Sequence, residues 1–548
     1  MSDIKVTIKP ARKRGYFLKA SRGNNHFFVH SRYEPVREAK SWANQLSIED
    51  DINHLIFLGG GLGYFPEELE KRGYSVSILE LLPEFKPPED SPASRLLQED
   101  KFQFLDPDTS PAKFLKELPS DKLQAALPVI HPGYGQLLGN KVQQLKEECL
   151  LLGRDLLRSR QTVRQFFWQW FDNFIANFEQ LENCYSLQTL KNSQKDVPAV
   201  LVGAGPSLHR SLGWMSKHEE NIFIIAVDSA LSSLQQGGVE PDIAISIDPQ
   251  ADNAHYLQGV KPAGSLVASW EGRPEFFRWA QKLTKFVTCT SLGLGGEKTV
   301  FPFSEWFKKF CEGIIPLQSG GSVTSTALDL AQYLGCDPLG IVGVDHGYPR
   351  GRAFPAGSVS EKRSLGRLNR FQTLPTLHYR KILNKQSEDS KRLSCSEGIR
   401  DEEILTNDEY RLQNEWFEEA GGKLPAQCYD FRADGLPMQN WQRIGSPAEF
   451  FDSNNFSAPR PVAGEEKIKI QKGKLKEATG ELRKFLDSSP ELEKKIIHNP
   501  GQIPEVLRKS FRPFAHYAGM HGETRWELAE EFISRIKPRL KKLQAKLT

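Results

Sequence analysis

The residues best suited to chemistry gather where apolar runs break off. Pro198–Leu212, PAVLVGAGPSLHRSL, begins as a buried strand, breaks into glycines and restarts at a serine. Glycines let another group come close to the backbone, and amides at a helix mouth face an anion with the dipole's help. Gly203, Gly205, Pro206 and Ser207 are therefore candidates for holding a phosphate, with Ser207 placed to cap the helix and donate its hydroxyl. A second mouth, Ser319, Gly320, Gly321 and Ser322, precedes an amphipathic pattern through Ala327, Leu328, Leu330, Ala331 and Leu334. Either turn alone is also what a plain strand-to-helix connection looks like. Two on one sheet suit a ligand with a phosphate and a sugar or base.

The positioning elements follow from the runs AVLVGAG, NIFIIAVD, IAISID, SLVASW, FVTCTS and LGIVGVD. Strands alternating with helical stretches imply a mostly parallel, doubly covered sheet, whose ligands settle at the carboxyl ends of the strands. Those ends carry Asp228, Asp248 and Asp345-His346. The three acids suit a divalent metal, ribose hydroxyls or a base, and each alone is equally a cap or turn former. His346, His378 and His255 are candidate proton acceptors. Arg350, Arg352 and Lys362 form a basic stretch that either closes over an acidic substrate or is solvated loop.

Six segments are expected along the chain. Residues 1–48 alternate apolar and polar as short strands. Residues 49–138 read as a small Rossmann-like domain, with the turn Gly59-Gly60-Gly61-Leu62-Gly63 and an acid, Glu80, ending its second strand. The turn matches the dinucleotide fingerprint only loosely, so a nucleotide site and an empty scaffold stand side by side. Residues 139–194 form a helical connector with an aromatic stripe, Phe166, Phe167, Trp170, Phe171, Phe174 and Phe178, read as core. Residues 195–380 form the central catalytic α/β domain and 381–464 an irregular excursion or linker. Residues 465–548 are a helical domain interrupted at 498–505.

Of 548 residues, 39% are hydrophobic and 26% charged, the balance of a folded soluble protein with several cores. No apolar run approaches a membrane span, and the N-terminus lacks a secretory core. Seven scattered cysteines without a CxxC pair argue against a disulfide framework or a zinc site, and fit a reducing cytoplasm. A net charge of +3 announces no nucleic acid. From Pro461 onward 19 Lys/Arg stand against 12 Asp/Glu, a local +7 that leaves −4 for the rest. That tail is either a solvated face or a dock for an acidic partner or membrane surface.

The runs PAVLVGAGPSL, AVDSALSSLQQGGVEPDIAISID and SGGSVTSTALDLAQYLGCDPLGIVGVDHGY resemble the motility accessory factor family of motility-associated glycosyltransferases. FFVHSRYEPVREAKSWA and LIFLGGGLGY extend the resemblance to the leading domain, so it covers roughly residues 1–360. It implies transfer of a nonulosonic acid, pseudaminic or legionaminic, from a CMP-activated donor to Ser or Thr of flagellin or another secreted protein. The reaction would take place in the cytoplasm and require no cofactor. The implied fold is similar to that of bacterial sialyltransferases, with Gly203, Gly205, Pro206, Ser207 and Ser319, Gly320, Gly321, Ser322 lining the nucleotide site; Asp228 and Asp248 join them as nucleotide-binding candidates from their strand-end positions alone. Asp345, His346 and His378 are the catalytic candidates, and His378 is not fixed by any local motif. Ala204 stands where such sialyltransferases carry asparagine. The same pattern is similar to the 6-hydroxymethyl-dihydropterin diphosphokinase family, which implies ATP and magnesium; Ser246-Ile247-Asp248-Pro249 lacks that family's tandem acids. A flagellin-binding scaffold without catalysis is the third alternative.

Overall fold

Runs of Val, Ile, Leu and Ala buried on both faces build the strands of the larger sheet, as a doubly covered parallel sheet requires. The computed structural model describes residues 4–48, 52–105, 111, 114–115, 118, 122–123, 126–294, 297–300, 302–384, 393–400, 402–454, 456–487 and 525–547. The interruption expected at 498–505 lies outside them. The chain divides into two compact units. One comprises Met1–Arg164, Leu294–Glu297 and Arg512–Leu528, and the other comprises Gln165–Gly293, Lys298–Phe511 and Ala529–Thr548.

The first unit holds an antiparallel meander, Ile4–Pro10, Tyr16–Arg22 and Asn25–Phe28. It also holds a four-stranded parallel sheet in the order Phe102–Phe104, Ser75–Glu80, His54–Leu58, Ala126–Ile130. This is the small Rossmann-like layer expected from the glycine turn.

In the second unit the neighbours run Lys285–Leu294, Ser265–Ser269, Ile243–Ser246, Phe223–Val227, Ala199–Val202, Leu339–Val342, Cys428–Asp430 and Gln442–Arg443. Each of these pairs is parallel. The chain steps outward from Ala199–Val202 to Lys285–Leu294, then returns to place Leu339–Val342 on the other side of its first strand. The strand order therefore reverses between Ala199–Val202 and Leu339–Val342, and such a reversal opens a crevice at the carboxyl ends. The class is α/β, with a Rossmann-like parallel sheet in each unit. The segment read as an excursion, 381–464, supplies two of the strands and the helix Asp408–Lys423.

The 42-residue helix Asn140–Leu181 carries the aromatic stripe, and Phe174 stacks on Phe307 with ring centroids 4.0 Å apart. The basic tail finds partners within the chain. In the C-terminal helix Arg525–Lys546, Arg539 binds both carboxylate oxygens of Asp172 at 2.8 and 2.6 Å, and Lys546 reaches Glu179 at 2.9 Å. Arg535 lies over the Trp168 ring. All seven cysteines are free thiols, six of them buried. No helix among the described residues is long and apolar enough to cross a membrane.

Candidate functional site

The first glycine turn is held by the chain itself. Gly203 N donates to Val342 O at 2.9 Å and Gly205 N to Gly343 O at 2.6 Å. A Cβ on Gly203 would lie 2.4 Å from Gly343 O, and one on Gly205 would lie 2.8 Å from the carboxyl carbon of Asp345. What comes close to this backbone is the adjoining segment Gly343–Asp345. The Ser207 amide donates to Asp345 Oδ2 at 2.7 Å and its hydroxyl to Oδ1 at 2.5 Å. The acid facing the Ser207 amide is therefore a side chain of the protein. Burial pushes the Asp345 carboxyl up to about 7, even though both serine bonds and Arg432 favour its charged form.

Asp228 ends the neighbouring strand, accepting from Ser246 Oγ at 2.8 Å and from Ser229 N at 2.7 Å. Burial raises it to about 7, and the charge of Asp248 adds to the effect. Asp248 is half-buried, accepts from Gln250 N at 2.8 Å, and is also raised by burial. At these strand ends Ala204, Gly205, Ser229 and Asp248 are part-exposed. Among the described residues no three His, Cys, Asp or Glu side chains are grouped to hold a metal ion.

At the second mouth Ser322 caps the helix Val323–Leu334 and accepts from Ser325 N at 3.2 Å. The Ser325 hydroxyl closes the box by accepting from Ser322 N and from Gly320 N, the latter at 2.7 Å. Ser319, Gly320 and Ser322 remain part-exposed and Gly321 exposed.

The helix Asp408–Lys423 meets the second mouth and the segment Asp345-His346 that closes the first. Gln413 Nε2 donates to Gly321 O at 3.4 Å, and the Trp416 indole lies so close to Gly320 that a Cβ there would meet it at 2.3 Å. From the same helix Asn414 bonds His346, and Tyr410 feels the charge of Asp345. Residues 410 to 416 span only about 9 Å of helix axis. The second mouth, and the Asp345-His346 segment that closes the first, thus border one stretch of this helix. Tyr256 belongs to the same group, its phenol raised by burial and by Asp228, Asp248 and Tyr410. Tyr410 is pushed up to about 12, chiefly by burial.

The histidines separate cleanly. Asn414 Nδ2 donates to Pro437 O at 2.9 Å, which turns its amide oxygen toward His346 Nδ1 at 3.0 Å. Nδ1 therefore carries the proton, and the Nε2 lone pair is left to accept. Burial and the charge of Arg432 lower His346 to about 3, so the ring is neutral near pH 7. His378 instead accepts from Ala353 N through Nδ1 at 3.0 Å, and its Nε2 is enclosed without a partner. It fastens the 350–354 loop and presents no free lone pair to a reacting hydroxyl. His255 is part-exposed and rests on Tyr256.

Beneath the crevice Arg432 is fully buried. It is bidentate to Asp430 at 2.8 and 2.9 Å and also donates to Val344 O and Leu436 O. From the long helix Gln169, Asn173 and Asn177 hold the carboxyl ends of two strands, bonding Pro249 O, Glu271 O, Trp270 O and Gly272 O.

The turn of the smaller unit is closed from within. Gly60 N and Gly61 N donate to Glu80 Oε2 at 3.1 and 2.8 Å, Leu62 N donates to His30 Nε2 at 2.8 Å, and Tyr134 OH donates to Glu80 Oε1. A Cβ on Gly59, where φ is +83°, would strike the Tyr134 ring at 2.4 Å. The acid at the ribose position points into the turn, and the structure favours the empty-scaffold reading.

Residues 172–351 match the family model described as 6-hydroxymethylpterin diphosphokinase MptE-like. A solved structure, the MAf glycosyltransferase from Magnetospirillum magneticum AMB-1, superposes with a TM-score of 0.55 at 14% identity, over 99% of this chain and 91% of that one. The chain shares that fold. Both findings bear out the resemblance carried by the two glycine-serine motifs. Two Treponema pallidum (strain Nichols) proteins, each described as an uncharacterized protein, are also similar. One is 28% identical over 120 residues, 21% of this chain and 54% of that protein; the other is 26% identical over 210 residues, 37% and 34%. The chain thus spans about half and a third of their lengths. The MptE-like match ends at Gly351, so Tyr410, Asn414 and Trp416 lie beyond it.

Sequence reading missed Tyr256, Tyr410, Asn414 and Arg432. A signal existed for the helix that bears two of them: Asn407 as a cap, Asp408 and Glu409 in the first turn, then apolar residues at helical spacing.

Proposed function

We propose that this chain is a glycosyltransferase that moves a nonulosonic acid, pseudaminic or legionaminic in type, from a CMP-activated donor to Ser or Thr of flagellin or a similar secreted protein, within the cytoplasm. The observation that carries the reading is that one helix, Asp408–Lys423, meets both the second mouth and the segment Asp345-His346 that closes the first. The likeness to the MAf fold supports glycosyl transfer over other group transfers.

In this reading the nucleotide lies over Ala204–Gly205, its phosphate toward Ser319–Ser322 and its sugar toward Asp228 and Asp248. The phenols of Tyr256 and Tyr410 stand among these groups as further donors. Asp228 and Asp345, both raised to about 7, are partly protonated near neutrality, which removes negative charge that would repel a phosphate. His346 Nε2 takes the proton of the attacking hydroxyl once the negative charge of the bound donor raises its basicity above the buried value of about 3. That oxygen bonds the anomeric carbon, and the electron pair of the broken bond leaves with the CMP phosphate. Asp345 acts through Ser207, as a positioning group.

The MptE-like match favours a second reading, diphosphoryl transfer from ATP to a hydroxymethylpterin. That chemistry uses magnesium held by clustered acids. The described residues group no three such acids, so in this reading magnesium would rest on Asp228 or Asp248 together with the ATP phosphates.

Calorimetric titration with CMP, ATP and a pterin, each with and without magnesium, separates the readings. CMP is expected to bind without magnesium and to lose affinity in Ser322→Ala. Binding of ATP and pterin only with magnesium, and none of CMP, overturns the transferase reading.

A further inference from the structure

Residues 350–384 hold eight Lys or Arg and a single acid, Glu361. Within the same stretch lie Leu365, Leu368, Phe371, Tyr379 and Leu383, five of the eight large hydrophobic side chains exposed among the described residues; Phe371 is 76% exposed. Scattered exposed apolar residues need no explanation, but a cluster marks a contact surface.

The element is built and anchored. Its helices Val359–Leu365 and Leu374–Asn384 bury Val359, His378 and Ile382 on the inner side. Glu361 ties Arg352 at 3.0 Å and Gly357 N at 2.7 Å, and Lys362 reaches Ser232 at 2.9 Å. The single acid is therefore spent internally. On the outer side no acidic side chain among the described residues pairs with Arg367, Arg370 or Arg380. Arg350, at φ +54°, meets Glu402 only at 3.9 Å. Arg350, Gly351, Pro375, Thr376, Tyr379 and Arg380 line an open groove of ≈ 560 Å³. Arginine, tyrosine and phenylalanine around a concave site are the composition of protein-binding hot spots.

We infer that this hairpin face docks an acidic, leucine-bearing segment of the protein acceptor, with its carboxylates on Arg350, Arg367 and Arg380 and its apolar side chains against Phe371 and Tyr379. The inference rests on the proposed transfer to a protein. The groove and the exposed side chains beside it favour a polypeptide segment, whose alternating charged and apolar side chains match both, over a membrane. The hairpin begins at Pro349, next to Tyr348 and His346, so a segment held there lies beside the crevice.

The test uses the full chain and the variants Arg367→Glu/Arg380→Glu and Phe371→Ala, all surface changes whose folding is checked by circular dichroism. Anisotropy of a labelled peptide of alternating Glu and Leu is expected to show salt-sensitive binding, weakened about tenfold by the double variant, with a Lys–Leu peptide not binding. With purified flagellin as acceptor, the same variant is expected to raise KM while kcat and CMP affinity hold. Peptide binding without transfer in the wild type retires the transferase reading and keeps the docking face. A wild type that ignores the acidic peptide overturns the inference. So does capture of phosphatidylglycerol vesicles, or self-association, lost in these variants while peptide binding is unchanged.

Discussion

Asp345 takes both donors that Ser207 offers, the amide at 2.7 Å and the hydroxyl at 2.5 Å. A carboxylate at the end of one strand thus caps the turn at the end of the next, across the point where strand order reverses. The bond fixes the turn's shape, and the accessible parts left for a ligand are Ala204 and Gly205. Glu80 does the same to Gly60 and Gly61 in the smaller unit. In both places an amide cup is satisfied by an acid from the neighbouring strand's end.

Stability should fall with rising pH because of Asp345. Its folded value, about 7, lies above its ordinary 3.8, so the folded chain binds more protons between those values. The contribution is fully present below about pH 4 and is lost as pH climbs toward 7. Asp345→Asn mimics the protonated form, its oxygen accepting from Ser207 N and its NH2 donating to Ser207 Oγ. Urea midpoints of the wild type are expected to decline relative to the variant from pH 4 to 7 and to run parallel above. Parallel curves throughout would mean that Asp345 does not titrate there.

The two histidines should behave oppositely. His346→Ala is expected to lower kcat about 10²–10⁴-fold with CMP affinity unchanged, the usual loss for a proton acceptor. His378→Ala removes the bond to Ala353 N and is expected to lower the melting temperature and affect kcat far less. Single-turnover rates alongside melting curves separate them. A large kcat loss in His378→Ala with normal stability would reverse the assignment.

Much of this was legible from pattern. Continuous apolar runs gave the parallel strands, and glycine followed by serine marked both mouths. Chain-order reading stopped short where a partner came from far away. Nothing local says that Gly203 is small because Gly343 O sits against it, or that Asp345 faces inward. Arg432 and Asp430 carry no chain-order sign of burial; it follows only when the strand Cys428–Asp430 joins Leu339–Val342. The segment 381–464 looked irregular because the two strands it gives the large sheet are only three and two residues long and its glycines and prolines dilute the helical period.

The amide ladder of the long helix is a structural device with a measurable cost. Asn177 Nδ2 donates to Trp270 O at 3.0 Å and to Gly272 O at 2.9 Å, and all three residues are buried or nearly so. Asn177→Ala strands two carbonyls, a loss of about 1–3 kcal/mol. Asn177→Asp is expected to be worse, since it sets a buried carboxylate against those carbonyls. Chemical denaturation measures both, and a neutral Asn177→Ala would show that water replaces the amide.

The meeting of this helix, Asp408–Lys423, with the second mouth is testable through one contact. A methyl on Gly320 would meet the Trp416 ring at 2.3 Å, so Gly320→Ala must push the indole, and with it the helix bearing Tyr410 and Asn414. CMP affinity is expected to drop about tenfold, through a displacement transmitted along a rigid helix rather than through a lost ligand contact. Trp416→Leu makes room for the methyl, so Gly320→Ala should cost less CMP affinity in that background, with a coupling of about 1 kcal/mol or more. Purely additive effects would separate the second mouth from the helix, and the single-crevice reading would lose its support.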